Sequence, residues 1–193
     1  MTAIHDLKTQ DSIITPSSPS YDQAIARVSE VAVRRAAYVV YPAVPSDIVE
    51  ILRFARSQSP PLDIAVKCDG HDPSGASSSE GGIVIDLASI NHVKVSEDKK
   101  TIAVGGGALW GAIYDEVEKH GLEVVGAGFG SVGVGGFTTG GGYSVISSRR
   151  GLALDNVVQA TVVLANGSIV TCNAEIEADL FWAIRGMSAR IQF

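Results

Sequence analysis

Between Gly126 and Gly142 the chain reads GAGFGSVGVGGFTTGGG, nine glycines in seventeen residues. No other feature limits the fold as much. From Val134 to Tyr143 there are five glycines in ten residues, each costing about 0.8 to 1.0 kcal/mol against alanine in a helix interior. A stable helix is therefore not expected there. What such a stretch offers is a backbone that can approach a ligand closely and turn N–H groups toward it, as a phosphate or pyrophosphate requires; the bland reading is a loop kept only for tight turns. Gly128, Gly130 and Gly133 also spell GxGxxG, but a nicotinamide-type Rossmann site needs a helix after the third glycine and an acidic residue ending the next strand. Asp155 has roughly the right spacing, yet it precedes the apolar run that begins at Asn156. A Rossmann dehydrogenase is the minor alternative.

The chain of 193 residues is 46% hydrophobic, which suffices for one large domain or two small packed lobes. A formal charge of -6 and no Lys/Arg run longer than two residues argue against nucleic acid as a partner. Cys68 and Cys172 lack zinc-site spacing and are too few for a disulfide framework, so no metal is expected. The N-terminus has no apolar core of signal-peptide length and no stretch approaches the ~20 apolar residues of a membrane span. No membrane partner is expected, and the location reads as cytoplasmic or unassigned.

Residues 1–20 end in TPSSPS and read as an arm or linker. Helical spacing predicts a helix over 21–37, followed by a strand in YVVYPA and a helix opened by Ser46 as N-cap and closing near Ser57. LDIAVK and GIVIDL read as strands flanking the polar loop CDGHDPSGASSSEGG. HVKV and TIAV make a hairpin, 109–120 a helix capped by Gly121, and LEVVGA a strand. Two β-branched runs meet at Asn166-Gly167, the preferred pair for a two-residue type I′ turn, and a short helix follows over 177–184. Hairpins mixed with helices, without regular alternation, give an α+β fold class.

The loop around His71 offers small residues, hydroxyls and one imidazole, which suits an anionic ligand. With the glycine stretch, two strand-fed loops suggest a large ligand carrying a phosphate bridge. Read together and in order, VVYPAVPSDI, VKCDGHDPSGASSSEGGIVIDL, LWGAIYDEVEKHGLEVVGAG, SVGVGGFTTGGGYS with SSRRGLALDNV, and DLFWAIRG resemble the flavoprotein oxidases that share the FAD-binding domain of vanillyl-alcohol oxidase and p-cresol methylhydroxylase, in the berberine bridge enzyme-like branch. The likeness runs from about Ile14 to Gly186.

The resemblance implies a two-lobed FAD-binding domain of mixed and antiparallel sheets with flanking helices over 21–193, lobe one about 21–95 and lobe two about 96–193. FAD is the implied cofactor. The loop residues Lys67, Cys68, Asp69, Gly70, His71 and Asp72, with Gly75, Ala76 and Ser77, would receive the pyrophosphate. Gly128, Phe129, Ser131, Val132, Gly133 and Gly136, then Thr139, Gly140, Gly141, Gly142, Tyr143 and Ser144, would cover pyrophosphate, ribose and the flavin edge. Asn156 and Ile169 would line the adenine side. His71 stands where many relatives bond the flavin 8-methyl carbon; a hydrogen-bonding role alone is the other reading.

Three departures from the family pattern bear on this chemistry. Phe129 stands where some relatives place a second, cysteine tether, so bicovalent flavin is not expected. Cys68 and Asp69 replace the usual glycines; a carboxylate pointing in at the phosphates would be repelled by about 4 kcal/mol at 4 Å and an effective dielectric near 20, whereas one pointing to solvent would cost little. After DLFWAIRG the sequence reads MSARIQF, where the family continues into a substrate-binding domain carrying the catalytic base. That domain is not expected here, and His92, Tyr114 and Tyr143 read as packing or surface residues rather than as that base. The expected function is the FAD-binding portion of an oxidase of a small metabolite, with hydride transfer to flavin N5 and reoxidation by O₂. A truncated descendant without catalysis is the alternative.

Overall fold

The computed structural model describes Ile4 and residues 12–186. They fall into two compact units: one runs through Ser89 and includes Val162–Val170, the other holds Ile90–Thr161 and the chain from Thr171.

The first unit is organised by a four-stranded sheet of order β1-β2-β4-β3, where β1 is Ser12–Ile14, β2 Tyr38–Tyr41, β3 Ile64–Lys67 and β4 Ile83–Asp86. β2 and β3 both run parallel to β4, and β1 is antiparallel to β2. All four residues of β4 are buried, as expected for a central strand covered on both faces. Alternation then divides its side chains. Ile83 and Ile85 join Val40 and the apolar stripe of α2 (Pro45–Ser57), Ile51, Leu52, Phe54 and Ala55. Val84 faces the other way, with Val39, Ala65 and, from α1 (Tyr21–Ile25), Tyr21, Ala24 and Ile25. Ile51, Ile83 and Ile85 are at most 1% exposed, each burial contributing about 1.5 to 3 kcal/mol.

Three expectations for this unit are corrected. The arm is not all linker, because Ser12–Ile14 supplies the edge strand β1. The helix expected over 21–37 stops at Ile25: Ala26 turns extended, Val28 N–H donates to Gly70 O at 3.2 Å, and only a single 3-10 turn follows at Glu30–Ala32. The α2 cap is not Ser46. The helix begins at Pro45, and Asp47 Oδ2 accepts the N–H groups of Ala43 and Val44, both at 3.0 Å; the longer acidic side chain reaches back over the open end.

In the second unit β5 (Val93–Val95) and β6 (Ile102–Val104) form the expected antiparallel hairpin. Helix α3 (Trp110–Glu118) buries Trp110, Ile113 and Val117 and ends as expected, with Gly121 at φ 67. The strand expected in LEVVGA is not formed. Its apolar residues Leu122, Val124 and Ala127 pack against the α3 cluster, so their alternation serves helix packing and no neighbouring strand pairs with them.

β7 (Gln159–Val163) and β8 (Ile169–Asn173) make the second hairpin, but not through a type I′ turn. Leu164 N–H donates to Ser168 O, and Gly167 N–H to Leu164 O, both at 2.8 Å. Gly167 has φ 87, whereas Asn166 does not have the positive φ that type I′ demands. The connection is a three-residue loop with glycine in the left-handed position. The last helix among the described residues spans Ala178–Ile184.

Where β3 and β4 end side by side, Lys67 Nζ meets Asp86 Oδ2 at 2.7 Å, with the side chains 15% and 1% exposed. Ala88 N–H also donates to Asp86. Removing one member of a buried pair strands the other. Lys67→Met is expected to lose about 3 to 5 kcal/mol of stability in urea unfolding, and adding Asp86→Asn to recover much of it.

Candidate functional site

The polar loop of the first unit starts where β3 ends, at Lys67, and is held from beneath by Arg27. This side chain comes from the segment where α1 has stopped, and the residue is only 9% exposed. Nε donates to Ser77 Oγ at 3.1 Å and Nη2 to Ser77 O at 2.5 Å. Nη1 donates to Ile25 O and Ala26 O at 2.9 and 2.8 Å. Burial pushes the guanidinium pKa below its ordinary value, with Asp86 opposing; the group stays charged because its acceptors replace water. Gly70 lies over the Arg27 stem. It has φ 83, and a Cβ there would sit 2.7 Å from Arg27 Cδ, so the turn requires glycine.

That turn brings the residues on either side of Gly70 together. His71 Nε2 lies 3.1 Å from Asp69 Oδ2, with the side chains 37% and 29% exposed. The Asp69 carboxylate is thus engaged by the imidazole two residues on. Asp72 instead serves the loop itself: its Oδ1 accepts Ser74 N–H at 2.6 Å and the Ser74 hydroxyl at 2.5 Å. The turn from Gly75 to Ser78 is closed by Ser78 N–H donating to Gly75 O at 2.9 Å. Ala76 is exposed in the same segment. Ile169, at the start of β8, is 47% exposed.

In the second unit the glycine stretch is laid against α3. Tyr114 O–H donates to Ala127 O, Gly111 N–H to Gly130 O at 2.9 Å, and Trp110 N–H to Val132 O at 3.0 Å. Contrary to expectation, a helix does form in the glycine-rich segment: α4, Val134–Thr139, starting after the extended Gly133. Tertiary packing outweighs its poor propensity, since Val134 is buried and Phe137 packs edge-on to Trp110 at 5.4 Å between ring centres. Thr139 Oγ1 donates to Gly135 O. The helix is six residues long and is stopped by Gly140, Gly141 (φ 118) and Gly142 (φ 74). At Gly142 a Cβ would meet Ala153 Cβ at 2.5 Å.

Several expected ligand-facing residues instead have structural work here. Val132 packs with the α3 cluster, Ser144 is 5% exposed and its N–H donates to Ser147 Oγ, and Asn156 Nδ2 donates to Arg150 O and Leu152 O at 3.0 and 2.8 Å. Phe129 and Tyr143 are each 75% exposed, and Ser131 is exposed as well. Positions Gly128 and Gly136 face open space. A recess of about 390 Å³ borders this stretch, lined by Tyr114, Val117, Leu122, Val124, Gly126 and Val145 among others, all within the second unit. Tyr114 is a packing residue, as read, and His92 is exposed.

Both segments leave buried donors without partners. Ser78 Oγ and Ser79 Oγ beside the polar loop, and Thr138 Oγ1 on α4, have no hydrogen-bond partner. A buried hydroxyl left unpaired costs about 1 to 3 kcal/mol, so such groups are explained when a polar ligand meets them. In the first unit the Ser78 and Ser79 hydroxyls, and in the second the Thr138 hydroxyl with the open backbone at Gly128 and Gly136, each offer the donor chemistry that a phosphate-bearing cofactor takes. Among the described residues no cluster of His, Cys, Asp and Glu could hold a metal ion, Cys68 and Cys172 form no disulfide, and no helix is long and apolar enough to cross a membrane. Sequence reasoning missed Arg27, Ser78, Ser79 and Thr138; Arg27 is one of three arginines between residues 21 and 37, and nothing in the pattern singles it out.

The fold is that of the FAD-binding domain of p-cresol methylhydroxylase type, with mixed and antiparallel sheets and flanking helices. A family model described as FAD binding domain matches residues 36–173, and the chain belongs to that family. It is 40% identical over 171 residues to the FAD-linked oxidoreductase pgmH of Aspergillus terreus, covering 88% of this chain and 34% of that protein. It superposes on 6-hydroxy-D-nicotine oxidase from Arthrobacter nicotinovorans with a TM-score of 0.91 at 29% identity, covering 96% of this chain and 41% of the other. For the glucooligosaccharide oxidase of Acremonium strictum, described as carrying a 6-S-cysteinyl, 8α-N1-histidyl FAD, the TM-score is 0.84 at 28% identity, over 91% and 37%. The chain spans about a third of the length of the curated relative and about two fifths of the solved ones. What it matches is the FAD-binding domain that FAD-linked oxidoreductases carry, and the nicotinamide reading of GxGxxG is set aside.

Two measurements check this geometry. Arg27→Met keeps the stem under Gly70 but leaves the Ser77, Ile25 and Ala26 carbonyls unpaired; a loss of about 2 to 4 kcal/mol is expected in urea unfolding, with the loop residues gaining hydrogen exchange. Burial holds the Tyr114 phenol above the ordinary tyrosine value of 10.0, so the folded state keeps that proton longer than the unfolded state. Its contribution to stability is full below pH 10 and is lost as the pH rises through the folded-state value. Tyr114→Phe is expected to remove that part of the alkaline decline.

Proposed function

We propose that this chain holds FAD through the loop Lys67–Ser77 and the glycine stretch Gly126–Ser144, and that His71 is the point at which the flavin 8α carbon is covalently attached. The reading is carried by one observation: His71 is on the Gly70 turn, partly exposed and oriented by a carboxylate, on the loop that also holds the orphaned Ser78 and Ser79 hydroxyls. Ser78, Ser79 and Thr138 would donate to phosphate or ribose oxygens, and the backbone at Gly128 and Gly136, where nothing lies within 4 Å of a Cβ position, would leave room for the cofactor to approach. Asn156 and Ile169 remain proposed for the adenine side. Phe129, exposed and without a nucleophilic atom, leaves His71 as the single tether.

Bound FAD supplies a two-electron acceptor at N5 that dioxygen can reoxidise. Within a complete protein of the relatives' length the reaction proposed is oxidation of a small metabolite. The protein atoms that select the substrate and take its proton are not among the residues described here, and Tyr114 and His92 are not assigned that task.

Purified protein supplied with FAD is expected to be yellow after gel filtration and to keep its colour in the acid-precipitated pellet; His71→Ala is expected to bind the flavin but release all of it to acid. Protein that stays colourless with excess FAD overturns the proposed binding sites, and equal acid-stable flavin in His71→Ala overturns the attachment residue.

A further inference from the structure

We infer that Asp69 is a positioning residue for flavin attachment: its carboxylate fixes the His71 proton on Nε2 and leaves the Nδ1 lone pair as the nucleophile. The inference rests on the attachment at His71 proposed above. A neutral imidazole carries one N–H and one lone pair, and the partner of one nitrogen decides which is which. Here Asp69 Oδ2 lies 3.1 Å from Nε2, a distance at which an ionised carboxylate, which can only accept, holds the proton on that nitrogen. Gly70 at φ 83 makes the pairing, since it folds residues 69 and 71 onto the same side.

The other charged groups of the loop are committed elsewhere. Asp72 is bonded to Ser74 and Lys67 to Asp86, and Arg27 is bonded to backbone carbonyls and Ser77. Asp69 is therefore the one carboxylate paired with His71 among the described residues.

In the attachment step a bond forms between His71 Nδ1 and the flavin 8α carbon, and one 8α C–H bond breaks with its proton passing to solvent. Two electrons pass into the flavin ring system. As Nδ1 shares its lone pair the imidazole gains positive charge, which Asp69 stabilises until the Nε2 proton leaves through the carboxylate to water. Dioxygen then takes the two electrons with two protons, giving hydrogen peroxide and the oxidised, tethered flavin. Asp69 thus both orients the ring and stabilises the charge that develops on it, as a carboxylate behind a histidine does elsewhere.

The test uses the full chain in four forms: wild type, Asp69→Asn, Asp69→Gly and Asp69→Glu. Without flavin, the side-chain ¹H–¹⁵N spectrum of ¹⁵N-histidine protein, with His71 assigned from its loss in His71→Gln, is expected to show one tautomer protonated at Nε2 in wild type and Asp69→Glu. A mixture is expected in the other two. With FAD added at concentrations that saturate each form, acid-stable flavin is expected to form about 10- to 100-fold more slowly in Asp69→Asn and Asp69→Gly, with rescue by Asp69→Glu. Wild-type attachment rates in Asp69→Gly, or a His71 tautomer indifferent to residue 69, overturn the inference while leaving His71 as the attachment site. Wild-type protein that binds FAD yet releases all of it to acid overturns the attachment reading itself, and the inference with it. Tighter flavin binding in Asp69→Gly together with attachment as fast as in wild type at saturating FAD would show that the carboxylate acts on the phosphates instead, and overturns the inference too.

Discussion

The polar loop of the first unit depends on one buried charge. A guanidinium taken out of water is costly unless its donors find acceptors, and Arg27 makes four hydrogen bonds that join the end of α1 to Ser77 at the far end of the loop. The consequence reaches back into secondary structure. A helix continuing past Ile25 would carry residue 27 on the helical path and occupy the Ile25 and Ala26 carbonyls with backbone N–H groups, so the helix ends and the carbonyls go to the arginine. Gly70 then has to fit over the arginine stem, and the pairing of Asp69 with His71 follows from the backbone conformation glycine allows there.

The glycine stretch is held by a different means. Its order comes from the apolar cluster on α3, from main-chain bonds to Trp110 and Gly111, and from the Tyr114 hydroxyl. Few of its own side chains contribute. This arrangement suits a surface that must be rigid yet free of Cβ atoms: rigidity is supplied by the neighbouring helix, and the close-approach face is left to Gly128 and Gly136. It also explains why α4 exists and why it is short. Val134 and Phe137 offset the unfavourable glycines for one and a half turns, and beyond Thr139 three consecutive glycines in other conformations leave nothing to extend.

Much of this was legible in the sequence because the signals were local. The apolar runs of β2, β3 and β4, the breaker-free α2 and Gly121 after α3 each carry their own periodicity or cap. The family likeness, spread over six separated segments, carried the cofactor and the fold. What was not legible depended on partners distant in sequence: the end of α1 is set by contacts from Val28 and Arg27 to residues 42 and 50 positions away, the fate of LEVVGA by whether a helix or a strand lies beside it, and the Asn166 turn by backbone conformation rather than by the favoured dipeptide. Among the expected site residues, the polar loop could be picked out as a segment, while the packing of Val132 and the hydrogen bonds of Ser144 and Asn156 within the protein cannot be seen from composition.

Asp69 shows the same limit. Taken as an isolated charge beside a phosphate site, it reads as a defect, since like charges at short range repel by several kcal/mol at the dielectric of a protein surface. Its position relative to His71 changes the sign of the argument. A carboxylate whose oxygen is occupied by an imidazole N–H presents less charge to an anion nearby, and the same contact raises the electron density on the opposite ring nitrogen. Asp69 therefore gives up some freedom at the phosphate turn for control of the histidine, and Gly70, between the two, is what makes that exchange geometrically available.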